Sequence, residues 1–335
     1  MFHGHNKENI NESCQTCKNW INHKTGVNES RQLYKEHSDK TFNQDTICVS
    51  ADLQKVVMLP QMDMFKCVIF LQRLIAYNET FVPVTGKFSS KNKPYAVIWH
   101  ETISKRSKED LISTFYSFIK SNRDAKTIII WLDNCASQNK NWALLTFLVR
   151  MINSDEISAT TICFNYFEPG HTFMSADSFH HQVELSMKRK QKIYDFDDFA
   201  DAVGSCCNGK VDVKKMDIQD FFQWKDFLSR QKLNDHTQKR PYLSDIVQIT
   251  AERGKFTLKY KTSFSGEDKV LDFLQKKIMK KSQLVKNFAC LDAPRGFPNN
   301  KKENVLKVLD KIIPENRKMF WLSLPSLSEP NEEDP

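Results

Sequence analysis

Residues 127–142 read TIIIWLDNCASQNKNW. The first six are apolar or β-branched with no polar alternation, the pattern of a strand covered on both faces in the middle of a sheet. Asp133 follows at once, in a polar run that leads into a second apolar stretch with helical spacing. A central strand that delivers a carboxylate to the end of a sheet sets the frame for the rest.

Upstream, residues 108–121 (KEDLISTFYSFIKS) put Leu111, Ile112, Phe115, Phe118 and Ile119 on one face of a helix. Before it, three stretches read as strands. Residues 46–59 (TICVSADLQKVVML) are closed by Pro60, residues 67–76 with 79–84 form one long or bent strand, and residues 95–103 (YAVIWHETI) follow the loop SSKNKP. Their short connections predict an antiparallel meander. Downstream come a helix over 139–153, a strand over 159–167 and a helix over 173–190 whose basic end, KRK, suits the helix dipole.

The order β-β-β-α-β-α-β-α is that of ribonuclease H. The expected fold class is α/β, a ribonuclease-H-like mixed five-stranded sheet over residues 46–205. A polar N-terminal arm with Cys14-x-x-Cys17 precedes it (1–45), and a mainly helical α+β extension follows (206–335). Within and beyond the core boundary, helices are expected at 195–203, 217–230, 269–281 and 303–313, and a hairpin from 246–250 and 255–262. The acidic tail NEEDP is expected to be disordered.

Composition narrows the function classes. The chain has 335 residues, 40% hydrophobic and 27% charged, as globular proteins do. No run of 18 apolar residues predicts a membrane helix, and the polar first twenty residues lack the apolar core of a secretory signal. Nine cysteines, an odd number, fit reduced thiols in the cytosol or nucleus, and the nucleus is the expected location. Nine glycines, with no GxGxxG and no GxxxxGK[ST], exclude the usual dinucleotide and P-loop signatures. A net charge of +8 permits a polyanionic partner.

Two acids stand where such a core needs them: Asp52 within the first strand, which disfavours Asp, and Asp133 after the buried strand. In this topology the two strands are neighbours. A third acid is expected from the last helix, where Asp177 and Glu184 lie seven residues apart on one side. Clustered carboxylates repel unless a cation joins them. Mg²⁺ or Mn²⁺ suits oxygen donors, and two such ions would support in-line hydrolysis or strand transfer at a phosphodiester. The alternative readings are structural: Asp133 as a turn former or N-cap, Asp177 as a partner of the helix dipole.

The stretches DLQ at Asp52, WHETISKRSKED at 99–110, WLDNCASQNKNW at 131–142 and EPGHTFMSADSFHHQVE at 168–184 resemble a family of transposon-encoded proteins described as a domain of unknown function. The resemblance implies a ribonuclease-H-like DDE/DDD transposase core in which Asp52, Asp133 and Asp177 hold the metals, Glu184 substitutes as third acid and Glu109 assists. Family members carry a Cys-x-x-Cys upstream, matched by Cys14 and Cys17. Two departures stand out: Ser137 where members have Gly in DNCxGQNKN, and Ser107 after Arg106 where many have RG. The chain's start close to the Cys pair fits a fragment, a decayed copy or a domesticated one.

Lesser signals complete the expectations. Cys14 and Cys17 supply half a zinc site, with His37 or His23 as partner. Candidate substrate contacts are Asn134, Lys140, His171, Lys188 and Arg189, with a further basic run at 276–281. His171, His180 and His181 lie near the acids in sequence; His171 follows a Pro-Gly turn and reads as a contact for phosphate or water, with capping a helix or orienting Asp177 as the structural alternative. Phe221, Phe222 and Phe227 read as core, and Cys206-Cys207 as packing. The expected function is a transposase-like nuclease on DNA, able to self-associate and free of membranes. The alternative is an inactive descendant that binds DNA or protein.

Overall fold

The computed structural model describes residues 13–62, 71–85, 92–135, 137–224, 241–274 and 288–327. The expected strand start at 67–70, the helical stretches 225–230 and 275–281 with the basic run, Phe227 and the acidic tail lie outside the described residues.

The architecture is mixed α/β around one large mixed sheet. Ten strands compose it: β1 (Thr46–Leu53), β2 (Val57–Leu59), β3 (Leu74–Pro83), β4 (Tyr95–His100), β5 (Thr127–Leu132), β6 (Thr161–Tyr166), β7 (Asp212–Lys215), β8 (Gln248–Glu252), β9 (Leu258–Lys261) and β10 (Lys269–Leu271). The spatial order is β10-β9-β8-β6-β5-β1-β3-β4-β7, with β2 pairing β3. β1 is antiparallel to β3 and parallel to β5, β3 is antiparallel to β4, and β5 is parallel to β6. The five strands expected from the sequence thus form the middle, and the sheet is twice as wide. The extension adds β7 at one edge and the hairpin β8–β9 with β10 at the other.

Three local expectations need correction. The strand over 46–59 breaks: Leu53 faces Glu79 and Val57 faces Ala76, so the outgoing strand uses one residue more than its partner, as a bulge does. Residues 269–271 form an edge strand where a helix was expected; its pairing with β9 outweighs the helical spacing. Residues 217–230 begin with a short 3₁₀ turn, Ile218–Asp220, that ends in extended backbone at Phe221. Phe221 and Trp224 then insert into the core, where Trp224 Nε1 donates to Ser113 Oγ at 2.8 Å.

Helices cover both faces. α2 (Lys108–Ser121) and α3 (Trp142–Ile152) pack on one, with α2 started by a capping box between Ser107 and Asp110. α4 (Ser175–Lys190) and α5 (Phe196–Gly204) pack on the other, joined by α6 (Asn299–Leu309) and α7 (Glu315–Ser323). β5 explains the two layers: Ile128, Ile130 and Leu132 enter the first core and Trp131 the second. Full burial of each such side chain contributes about 1.5–3 kcal/mol.

The N-terminal arm is a 25-residue helix, α1 (Gln15–Asp39). Few of its side chains are apolar, and Cys17, Val27 and Ser30 are its buried residues. It docks through polar contacts: Glu29 accepts from the Phe264 amide and from Ser263 and Ser265, and His37 Nδ1 accepts from Trp131 Nε1 at 3.0 Å. Among the described residues no helix is long and apolar enough to cross a membrane.

Candidate active site

Alternation along β1 puts Ser50, Asp52 and Gln54 on one face, towards α4. Ser50 Oγ accepts from the Ala176 amide at 3.0 Å and lies 2.7 Å from Ser175 Oγ. Gln54 Nε2 donates to the carbonyl of His180 at 3.4 Å. Between them, Asp52 Oδ2 stands 3.6 Å from His180 Nδ1, and His180 Nε2 is 2.8 Å from Thr80 Oγ1. α4 is therefore held in register with β1 by a polar seam crossing an otherwise apolar layer.

Asp133 leaves β5 into a loop that its own carboxylate organises. Its Oδ1 accepts from Asn139 Nδ2 at 2.6 Å and from the Cys135 amide at 3.2 Å. Asp177, in the first turn of α4, accepts from the Met174 amide at 2.7 Å through Oδ2. Among the described residues, Asp133 Oδ2 and Asp177 Oδ1 make no hydrogen bond.

The acids share an electric field. Burial, then Asp133, then Asp177 push the Asp52 carboxyl up to about 7. Burial likewise pushes the His180 imidazole down to about 4, so the ring is neutral near pH 7. A fourth carboxyl, Glu79 on β3, was not among the sequence candidates. It is fully buried, Oε1 has no hydrogen-bond partner, and burial followed by Asp52 and Asp133 holds it well above the usual carboxylate range. It pairs with Leu53, so its side chain enters the α2–α3 core while Asp52 faces α4. The available signal was a Glu in the middle of an apolar strand, as unusual there as Asp52.

The other sequence candidates divide. Glu184 is exposed further along α4 and is not among the charges acting on Asp52. His180 faces Asp52, a contact that the sequence did not reveal. Asn134 and Lys140 bond to each other at 2.7 Å, and Lys140, almost fully buried, also donates to the Ser244 carbonyl. That pair ties the loop to the segment before β8 and does not point Lys140 at solvent phosphates. His171 is half-buried, its ring 4.9 Å from that of His23, which contacts Glu168 at 2.9 Å. Lys188 and Arg189 are exposed, with Lys188 about 16 Å along the helix from Asp177. Glu109 contacts Lys108 at 3.9 Å.

Of the expected zinc ligands, His37 stands apart from the cysteines. Cys17 and His37 lie on one continuous helix and are separated by about 30 Å, so they cannot share an ion within one chain. Among the described residues no three of His, Cys, Asp or Glu stand together closely enough to hold a metal ion by themselves.

A family model described as Domain of unknown function (DUF7869) matches residues 81–265, more than half of the chain. The chain belongs to this family. No curated protein and no solved structure matches it. The DUF7869 segment holds Asp133, Asp177 and His180, while β1 with Asp52 and most of β3 with Glu79 precede it.

Proposed function

We propose that this DUF7869 chain is a ribonuclease-H-like, transposase-like nuclease or strand transferase that acts on DNA phosphodiesters in the nucleus. The order of the five middle strands and the sites of Asp52, Asp133 and Asp177 support that reading. The observation that carries it is the shared field: burial first, then the charges of Asp133 and Asp177, push the Asp52 carboxyl up to about 7. Such repulsion is relieved by a divalent cation.

The donor chemistry fits Mg²⁺ or Mn²⁺. Asp133 and Asp177 each keep one oxygen without a hydrogen bond, and hard ions of this kind take one or two carboxylates with water and phosphate oxygens for the rest. Bound as a pair, such ions activate a water and neutralise charge at the leaving oxygen. The chain's own residues supply position. Asn139 and the Cys135 amide fix Asp133, the α4 N-terminus fixes Asp177, and the seam from Ser50 to Gln54 and the pairing of β1 with β5 set Asp177 and Asp133 relative to Asp52.

A second reading, an inactive descendant that binds DNA or protein, is favoured by one observation. Asp133 Oδ1 and Asp177 Oδ2 already serve local hydrogen bonds, as structural carboxylates do. Incubating labelled single- and double-stranded DNA with the protein in Mn²⁺ or Mg²⁺, wild type beside Asp133→Ala, separates the two. Metal-dependent cutting that the variant loses supports the nuclease. Salt-sensitive DNA binding without cutting in either protein supports the second reading.

A further inference from the structure

We propose that Asp52 Oδ2 and His180 Nδ1 are two ligands of one divalent-cation position, whose mixed oxygen and nitrogen donors favour a first-row transition ion such as Mn²⁺ over Mg²⁺. The inference rests on the reading above that the acidic centre binds cations, and it adds a ligand and an ion preference.

The geometry carries it. At 3.6 Å the Asp52–His180 contact is too long for a hydrogen bond, and Nδ1 has no other partner among the described residues. The His180 side chain is 10% exposed and that of Asp52 21%, so the contact lies at the edge of the polar seam, where an ion can enter. Thr80 contacts the far ring nitrogen, and either atom of that contact can donate. Its hydroxyl lies 3.4 Å from the Asp52 carbonyl, which can only accept, and 2.8 Å from His180 Nε2. In the tautomer that places the single hydroxyl hydrogen on the Asp52 carbonyl, Nε2–H donates to Thr80, and Nδ1 turns a lone pair towards the Asp52 side chain. Once Asp52 gives up its proton, two lone-pair donors face each other.

A cation between them resolves the conflict. Donors that each lie about 2.1 Å from one ion are separated by at most about 4.2 Å, which spans the observed 3.6 Å. Thr80 acts as partners of ligating histidines do, holding the far ring nitrogen and fixing the ring's orientation. Imidazole is a poor donor for Mg²⁺ and a good one for transition ions, hence the preference. No third His, Cys, Asp or Glu among the described residues closes the set. The remaining positions belong to water and to phosphate oxygens, an arrangement open to substrate.

Pulsed electron paramagnetic resonance on the full chain with Mn²⁺ reads the bond directly, through the ¹⁴N coupling of a bound imidazole. The expected result is a coupling in wild type that His180→Gln abolishes, with the circular dichroism of both proteins alike. Mn²⁺ bound without nitrogen coupling in wild type overturns the His180 assignment and leaves the proposed function standing. A coupling that persists in His180→Gln belongs to another histidine and also overturns it. No Mn²⁺ binding at all overturns both. If His180→Gln does not fold, Thr80→Val carries the test. Mn²⁺ affinity is expected to fall at least threefold with Mg²⁺ affinity unchanged, and equal Mn²⁺ affinity in the two proteins counts against the ligand.

Discussion

Tyr34 holds Ser175, the first residue of the helix that bears Asp177. Its hydroxyl donates to Ser175 Oγ at 3.2 Å and accepts from the Ser175 amide at 2.9 Å. Ser175 Oγ in turn lies 2.7 Å from Ser50 Oγ, two residues before Asp52. A residue of α1 thus reaches both elements that carry the acids. Tyr34→Phe keeps the ring contacts with Trp131 and Phe167 and loses only the hydroxyl. A loss of about 1–2 kcal/mol in urea denaturation is expected, with faster hydrogen exchange at the Ser175 and Ala176 amides. Unchanged exchange there would mean that α1 does not secure α4.

The pH dependence of stability follows from Asp52. The folded protein holds its proton up to about pH 7, the unfolded chain only to about 4, so stability from this group is present below pH 4 and lost as pH rises to 7. His180 acts the other way, its folded value of about 4 lying below the ordinary 6.5. The difference between wild type and Asp52→Asn isolates the carboxyl. Wild type should lose on the order of 3 kcal/mol relative to the variant between pH 4 and 8 without divalent ions. Parallel curves would show that Asp52 is not perturbed.

Glu79 gives a second pH signature with a different partner set. Because it stays protonated well above the usual carboxylate range, Glu79→Gln should be nearly silent in a thermal melt at pH 6. It should gain on wild type as the pH is raised beyond neutral, where the wild-type carboxyl must either ionise in the core or hold its proton at growing cost. A melting temperature that tracks wild type up to pH 10 would contradict the buried, orphaned carboxyl.

One guanidinium ties the last helix to the start of α5. Arg317 of α7 contacts Asp195 at 3.1 Å and Asp198 at 2.7 Å, and the Asp195 side chain is 2% exposed. Arg317→Ala leaves those carboxylates uncompensated under α7. With Arg317 itself about one-third exposed, a cost of about 2 kcal/mol is expected, together with early proteolysis between α6 and α7. Cleavage that begins elsewhere would assign the anchoring to Trp321 and the apolar contacts instead.

The middle of the fold was legible because local chemistry and tertiary placement agree there. Ser107 and Asp110 start α2 where the sequence predicts, and the run of β5 fits no exposed strand. The sheet's edges were not legible. Residues 269–271 have helical spacing and are fixed as a strand by pairing with β9, a relationship no local window contains. α1 was hidden for another reason: its docking uses Glu29, Tyr34 and His37 in hydrogen bonds, so its polarity reads as that of a solvated arm. Of the candidate site, Asp52 was visible as a residue out of place in a strand, and Asp133 and Asp177 by their positions after the buried strand and at the start of the last helix of the core. Glu79 was equally out of place and lay in a strand read mainly for its apolar residues, and the facing of His180 to Asp52 depends on the register of α4 against β1.

The placement of β7 and β8–β10 bears on how the protein is made. Both rims of the sheet come from residues 212–271, after every strand of its middle has been synthesised. A nascent chain that has cleared the ribosome only to residue 205 would present β4 and β6 with bare hydrogen-bonding edges, the surfaces on which chains join one another. Closing them correctly requires waiting for the last four of the ten strands. Expression at lower temperature, or with trigger-factor-like holdases in excess, should therefore raise soluble yield more than any single stabilising substitution in the core.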